Sequence, residues 1–307
     1  MAVAHLDSSL RTTRCLVCGA PGPYAPVFDR DGHHLVRCPQ CRLVFQDPQA
    51  SDAALEETYY HAESWTAELL GPLEELTLER ARQQLARMRA FGVAPGGRLL
   101  DVGASSGSWL RVAEEAGWQG VGVELGATTA EAARSRGLDV RTGTLDAIAP
   151  SFEPGSFDAV TFWDVLEHLR DPRIELGIAR DLLRPGGTLA AAMPNVEGWF
   201  PRASRRLLAS WSGHWEYPEL PVHLYDFSPR TMERLLVSLG FVDVRTTTYE
   251  TPWWYYQRTS IALGRVGHGR RGRLIRAAYE ALHAPLYPLA RLADAGNSFF
   301  VTARVPR

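Results

Sequence analysis

The chain has 307 residues, 45% of them hydrophobic and 22% charged, with a formal charge of −2. That length accommodates one large domain plus a small appendage, and the near balance of charge argues against a polyanionic partner, so no nucleic acid is expected. No apolar run approaches the ~20 residues that span a bilayer, and no apolar leader with a basic flank opens the chain, so a soluble cytoplasmic protein is expected.

All four cysteines fall in two matching knuckles, Cys15-x-x-Cys18 and Cys38-x-x-Cys41, with nineteen residues between them. Four thiolates at this spacing suit a tetrahedral structural zinc site, and a segment of about forty residues needs such a metal because it buries too little surface to fold alone. Two disulfides or a redox pair are the alternatives; the first fits poorly with a chain lacking a secretion signal. His33 and His34 are spare ligand candidates, expected to be loop residues. Residues 1–48 are therefore assigned to a zinc ribbon.

Residues 49–94 are assigned to a helical linker or cap. Its first part carries Tyr59, Tyr60 and Trp65. Residues 73–91 then place Leu78, Ala81, Leu85 and Met88 at a 3-4-3 spacing, one apolar helix face.

From residue 95 the pattern alternates. Leu99-Leu100-Asp101-Val102-Gly103-Ala104-Ser105-Ser106-Gly107-Ser108-Trp109 reads as a buried strand, a small-residue turn and the start of a helix. Gly103 and Gly107 let a ligand press against the backbone. About twenty residues later, Gly120-Val121-Gly122-Val123-Glu124 is a second buried strand ending in an acid able to accept a ribose diol. Together they point to a nucleoside-bearing ligand. A nicotinamide dehydrogenase would more usually show G-x-G-x-x-G, whereas here Ser105 stands at the second glycine position. Strands are expected near 98–103, 119–124, 138–142, 156–163, 187–193 and 241–248, closing with Ser298–Val305; alternation with helices predicts a parallel sheet covered on both faces.

The Asp101-x-Gly103-x-x-x-Gly107 loop, the acid Glu124, the strand from Phe157-Asp158, and Leu183-Arg184-Pro185-Gly186-Gly187 occur in the order seen in the class I S-adenosylmethionine (SAM) dependent methyltransferases, which this chain resembles over roughly residues 95–250. The N-terminal part is similar to a ribbon that opens many bacterial specialised-metabolite and saccharide methyltransferases: Cys38-Pro39-Gln40-Cys41-Arg42-Leu43-Val44-Phe45, then Pro48, with Arg42 where the relatives usually have Gly. The resemblance implies an α/β, Rossmann-like seven-stranded sheet with an antiparallel final strand that ends it. It implies SAM bound by Asp101, Gly103, Ser105, Gly107, Glu124, Leu145 and Trp163. In that picture Asp101 holds the loop and faces the ammonium group, backbone N–H groups after Gly103 favour the carboxylate, and Glu124 takes the ribose hydroxyls. The relatives' adenine acid is replaced here by Thr144, before Leu145 and Asp146.

The resemblance also places His223, in Pro221-Val222-His223-Leu224-Tyr225-Asp226, near the transferred methyl, as a base for an acceptor hydroxyl; His168 is the second catalytic candidate. Asp164-x-x-Glu167-His168 with a distant His resembles the metal-binding set of small-RNA 2′-O-methyltransferases and ubiquinone-pathway O-methyltransferases. It makes Asp164 and Glu167 candidate ligands for Mg²⁺, Mn²⁺ or Zn²⁺.

Two segments depart from a minimal core. Residues 195–227 carry Trp199, Phe200, Trp211, Trp215 and Tyr217 and are expected to form part of a lid over the acceptor. Residues 251–307 hold Trp253-Trp254-Tyr255-Tyr256, a basic run from Arg265 to Arg276, an apolar helical stretch and the closing strand. The 265–292 part is a lid helix with solvated arginines, a peripheral contact with an anionic membrane or a contact for a phosphorylated acceptor. The functional expectation is methylation of a saccharide or natural-product acceptor, at oxygen. Alternatives are C-methylation of a nucleotide-linked keto-sugar, or a ribbon-type nucleic-acid binder with a vestigial core.

Overall fold

The computed structural model describes residues 14–51, 74–209, 217–251 and 270–307, with Thr12, Leu55 and Trp215 besides. Tyr59, Tyr60, Trp65, Trp211, the Trp253–Tyr256 run and Arg265 lie outside the described residues, as do the side chains of Arg270, Arg271 and Arg276.

In chain order the elements are β1 Ala25–Arg30, β2 His33–Arg37, β3 Val44–Gln46, α1 Glu74–Ala90, β4 Arg98–Val102, α2 Ser108–Glu115, β5 Gln119–Glu124, α3 Ala127–Arg134, β6 Val140–Thr142, α4 Leu145–Ile148, β7 Phe157–Trp163, α5 Pro172–Leu182, β8 Leu183–Pro194, α6 Trp199–Ser204, β9 Tyr225–Asp226, α7 Pro229–Ser238, β10 Val242–Tyr249, α8 Arg270–Leu292 and β11 Ser298–Arg304. They form two sheets, one ordered β1-β2-β3-β9 and one ordered β10-β11-β8-β7-β4-β5-β6. Two compact units result: residues 1–61, 193–234 and 246–299 form the first, and 62–192, 235–245 and 300–307 the second.

In the second unit the central strands are apolar on both faces. Leu99, Leu100, Ala159, Val160, Phe162, Leu189, Ala190 and Ala191 are all fully buried, as a parallel sheet sandwiched by helices requires. β4 pairs in parallel with β5 and β7, and β7 with β8. The expected helix over 73–91 is α1, and it buries Leu78, Ala81, Leu85 and Met88. Two expectations are corrected. β8 begins at Leu183 rather than 187, because its pairing with β7 jumps from Phe157↔Leu183 to Ala159↔Thr188 and the Arg184–Gly187 stretch bulges out, with Gly186 at φ +75°. The closing strand β11 does not end the sheet: it lies between β10 and β8.

In the first unit β1, β2 and β3 form an antiparallel meander, and the two-residue strand β9 pairs antiparallel onto β3 (Val44↔Asp226, Phe45↔Tyr225). Leu35 and Val44 of this sheet pack with Val196, Trp215, Tyr217 and Leu220 in one buried cluster. Trp215 and Tyr217, expected in a lid, are thus core residues, and Phe200 is buried as well. His33 and His34, expected in a loop, open β2, where the Nδ1 of His34 lies 2.6 Å from Asp29 Oδ1. Helix α8 is anchored by His283, whose Nε2 lies 3.2 Å from Glu250 Oε2, both side chains buried.

Candidate active site

The loop after β4 is held from the end of the neighbouring strand. Glu124, the last residue of β5, accepts the amide of Ser105 at 2.8 Å through Oε2 and that of Gly126 at 2.8 Å through Oε1. The amides of Gly103 and Ala104 donate to the Val123 carbonyl at 2.8 and 3.0 Å. Gly103, Ser105 and Gly107 all have positive φ, +75°, +50° and +81°. A Cβ on Gly103 would sit 2.4 Å from Val165 Cγ2, and one on Gly107 2.2 Å from Leu138 Cδ1. The glycines therefore serve close packing of the loop on its own fold as well as ligand approach. Gly107 caps α2, whose first amides point out of the helix start, a favourable place for a carboxylate.

Asp101 lies beneath this loop and is fully buried. Its Oδ1 accepts the Thr161 hydroxyl at 2.7 Å, and Thr161 Oγ1 in turn accepts Trp109 Nε1–H at 3.2 Å. Burial pushes its carboxyl well above the ordinary aspartate range, despite the lowering effect of the Thr161 bond, and the nearby Glu124 charge adds to the rise. The loop amide is taken by Glu124, while the hydrogen bond of Asp101 goes to the β7 hydroxyl. Trp163, at the end of β7, meets Trp109 edge-on with ring centroids 4.8 Å apart and stacks on Phe300 at 6.2 Å. Leu145 is buried at the start of α4, with Thr144 just before it as the helix cap.

After β7 the chain turns sharply. Asp164 adopts φ +55° and its carboxylate meets Arg80 Nη2 at 2.5 Å, so one of its oxygens is engaged by a guanidinium. Glu167 is buried and His168 half-buried in a single 3₁₀ turn, Leu166–His168.

In the first unit, His223 is buried between two acids: Nδ1 lies 3.8 Å from Asp226 Oδ1 and Nε2 3.9 Å from Glu219 Oε2. Asp226 is itself buried, and that burial pushes its carboxyl upward, opposed by the adjacent imidazole. The His223 amide donates to the Glu219 carbonyl at 2.8 Å. Strand β3 holds the other side of this peptide. Gln46 Nε2 donates to the carbonyls of Pro221 at 2.7 Å and His223 at 2.6 Å, and the Gln46 amide to Leu224 O at 3.0 Å. Neither Gln46 nor Asp226 was singled out by the sequence. The signals available were a glutamine closing the apolar run Leu43-Val44-Phe45 and an acid three residues after a histidine.

The four knuckle sulfurs lie within 4.8 Å of one another, with Cys15–Cys41 at 3.4 Å and Cys18–Cys38 at 3.6 Å. These separations are far beyond the ~2.05 Å of a disulfide and near the ~3.8 Å edge of a ZnS₄ tetrahedron with ~2.3 Å bonds. Each knuckle is closed by a backbone turn bond, Gly19 N–H to Cys15 O at 2.8 Å and Arg42 N–H to Cys38 O at 3.0 Å, and Arg42 keeps the left-handed turn (φ +72°) despite its side chain.

The family described as a methyltransferase domain matches residues 73–246, more than half of the chain. The chain belongs to the methyltransferase-domain family. A ubiquinone biosynthesis O-methyltransferase of Xanthomonas campestris pv. campestris is 35% identical over 124 residues, 38% of this chain and 50% of the relative; the chain spans about half the length of the curated relatives it matches. Among solved structures, a SAM-dependent methyltransferase from Thermotoga maritima aligns over 79% of this chain and 99% of its own, with TM-score 0.51 and 16% identity. The Haemonchus contortus phosphoethanolamine N-methyltransferase 2 solved with SAM aligns over 74% and 53%, with TM-score 0.50 and 22% identity. These likenesses show the fold, that of the SAM-dependent class I methyltransferases.

Proposed function

We propose that this chain transfers a methyl group from SAM to a small-molecule acceptor, at a hydroxyl oxygen. The observation that carries the reading is Glu124. Its carboxylate stands at the carboxyl end of β5 beside a glycine-rich loop, half-buried, with each oxygen engaged by a single backbone amide. Each oxygen keeps a further lone pair, which suits a vicinal ribose diol. The amides at the start of α2 suit a carboxylate, and Trp163 and Leu145 add apolar surface. When bound, SAM supplies an electrophilic methyl on a sulfonium; the acceptor oxygen forms the new C–O bond as the C–S bond breaks and its electron pair stays on sulfur.

The proton released by the acceptor needs a base, and we assign it to His223. Asp226 and Glu219 stand 3.8 and 3.9 Å from its two ring nitrogens. Oxygen as the methylated atom is supported by the Xanthomonas relative named an O-methyltransferase; a saccharide or natural product as the acceptor rests on the likeness of the N-terminal ribbon. The four cysteines suit a structural Zn²⁺. The test uses methyl-labelled SAM with an extract of the source cells, separated into organic and aqueous phases. Label in a small molecule, abolished by His223→Gln with S-adenosylhomocysteine binding intact, is the expected result. No transferred label together with no binding of S-adenosylhomocysteine overturns the reading.

A further inference from the structure

We infer that Gln46 of the ribbon is a positioning residue for His223, so that the four-cysteine module serves the catalytic step; this rests on the proposed role of His223. Trp215 and residues 217–226 are held at four points by residues between Ala25 and Gln49. Arg30 of β1 donates through Nη1 to the Trp215 carbonyl at 3.1 Å and through Nη2 to the Pro218 carbonyl at 3.5 Å. Gln46 donates through one amide nitrogen to the carbonyls of Pro221 and His223, the shortest contacts in the set. β3 pairs with β9, the strand that contains Asp226. Gln49 Nε2 donates to the Tyr225 hydroxyl at 2.9 Å.

The His223 peptide is therefore gripped at both ends, its N–H by Glu219 O and its C=O by Gln46. With those atoms fixed, the imidazole has only its own two torsions left, and a base must be held to a fraction of an ångström to work. A glutamine is required rather than an apolar residue. The Gln46 side chain is fully buried, its contact with the His223 carbonyl is buried and that with the Pro221 carbonyl partly so, and the NH₂ group supplies both donors there.

The experiment uses the full-length, metal-loaded protein with Gln46→Leu, which keeps size and removes the donors, and Gln46→Glu, which keeps shape and replaces the NH₂ by an oxygen. Hydrogen exchange over residues 219–226 is expected to rise on the order of tenfold in both variants, while exchange over residues 15–41 and the affinity for S-adenosylhomocysteine stay unchanged. With the extract acceptor, kcat falls while KM for SAM does not move. Unchanged exchange over 219–226 overturns the inference, and so does an equal rise over 15–41, which would make Gln46 a general prop of the ribbon. Full turnover by His223→Gln would remove the assignment of the base, an outcome separate from the exchange result.

Discussion

Glu124 and Ser105 are joined across the tips of adjacent parallel strands: a carboxylate oxygen of the first accepts the backbone amide of the second at 2.8 Å. Ser105 sits in the left-handed region, at φ +50°, a conformation that costs an ordinary residue about 1–2 kcal/mol unless its surroundings enforce it. Glu124 thus shapes the loop and offers lone pairs to the ligand with the same group. Replacing it by Ala is expected to weaken S-adenosylhomocysteine binding roughly 100-fold, and by Gln roughly tenfold, as a charge-assisted bond is worth about 1.5–3 kcal/mol. Isothermal calorimetry measures both; unaltered affinity in Glu124→Ala would show that the ribose is held elsewhere.

Gly103→Ala forces a methyl to within 2.4 Å of the Val165 side chain at a positive φ. A loss of about 2–3 kcal/mol in urea unfolding is expected, combining the left-handed cost with overpacking. Adding Val165→Ala removes the clash and should recover part of it. A variant as stable as wild type would mean that the loop repacks freely.

Metal content gives a direct check on the ribbon. Elemental mass spectrometry of the purified chain should find close to one equivalent of zinc, lost in Cys41→Ser. Loss should also lower the melting temperature, because the metal-bound knuckles supply folding free energy that so small a sheet lacks. A zinc-free chain with an unchanged melting profile would dismiss the structural metal.

Glu175 supplies a pH signature. It lies in the first turn of α5, and burial, with a smaller contribution from Asp146, raises its carboxyl to about 7; Oε2 has no hydrogen-bond partner among the described residues. The folded state therefore holds this proton more tightly than the unfolded chain, whose value is 4.5. The stabilisation is complete below pH 4.5 and is lost as pH rises toward 7. Glu175→Gln should be more stable than wild type at pH 8 by on the order of 1 kcal/mol after solvent screening, and equal to it at pH 4. Denaturant midpoints at the two pH values decide the matter; a gain that persists at pH 4 would point to packing instead.

What the sequence announced and what it concealed divide along range. The glycine loop, Glu124, the β4 and β7 strands and the cysteine knuckles are local patterns, each set by a few contiguous residues, and each stands where the pattern put it. The β8 bulge at Arg184–Gly187 is not legible in the sequence, because a Pro-Gly-Gly run signals a turn equally well when a strand swallows it. Trp215 and Tyr217 read as lid residues because an aromatic cluster has no sign of its own; only tertiary packing on Leu35 and Val44 makes them core. β9 was invisible: two residues carry no periodicity, and its partner lies far back in the chain. The bond of Asp101 to Thr161 was hidden for the same reason, being a contact between strands with five of these elements between them in the chain.

Because Tyr225 and Asp226 furnish the last strand of a sheet begun at Ala25, the N-terminal module cannot be finished when it leaves the ribosome. The four cysteines are all in place by residue 41, but the free edge of β3, with Val44 and Phe45 on it, must wait until about 180 more residues have been made. Synthesis thus leaves an unpaired apolar edge open for much of the time the chain is being built. Cutting the ribbon out as an independent fragment would make that interval permanent.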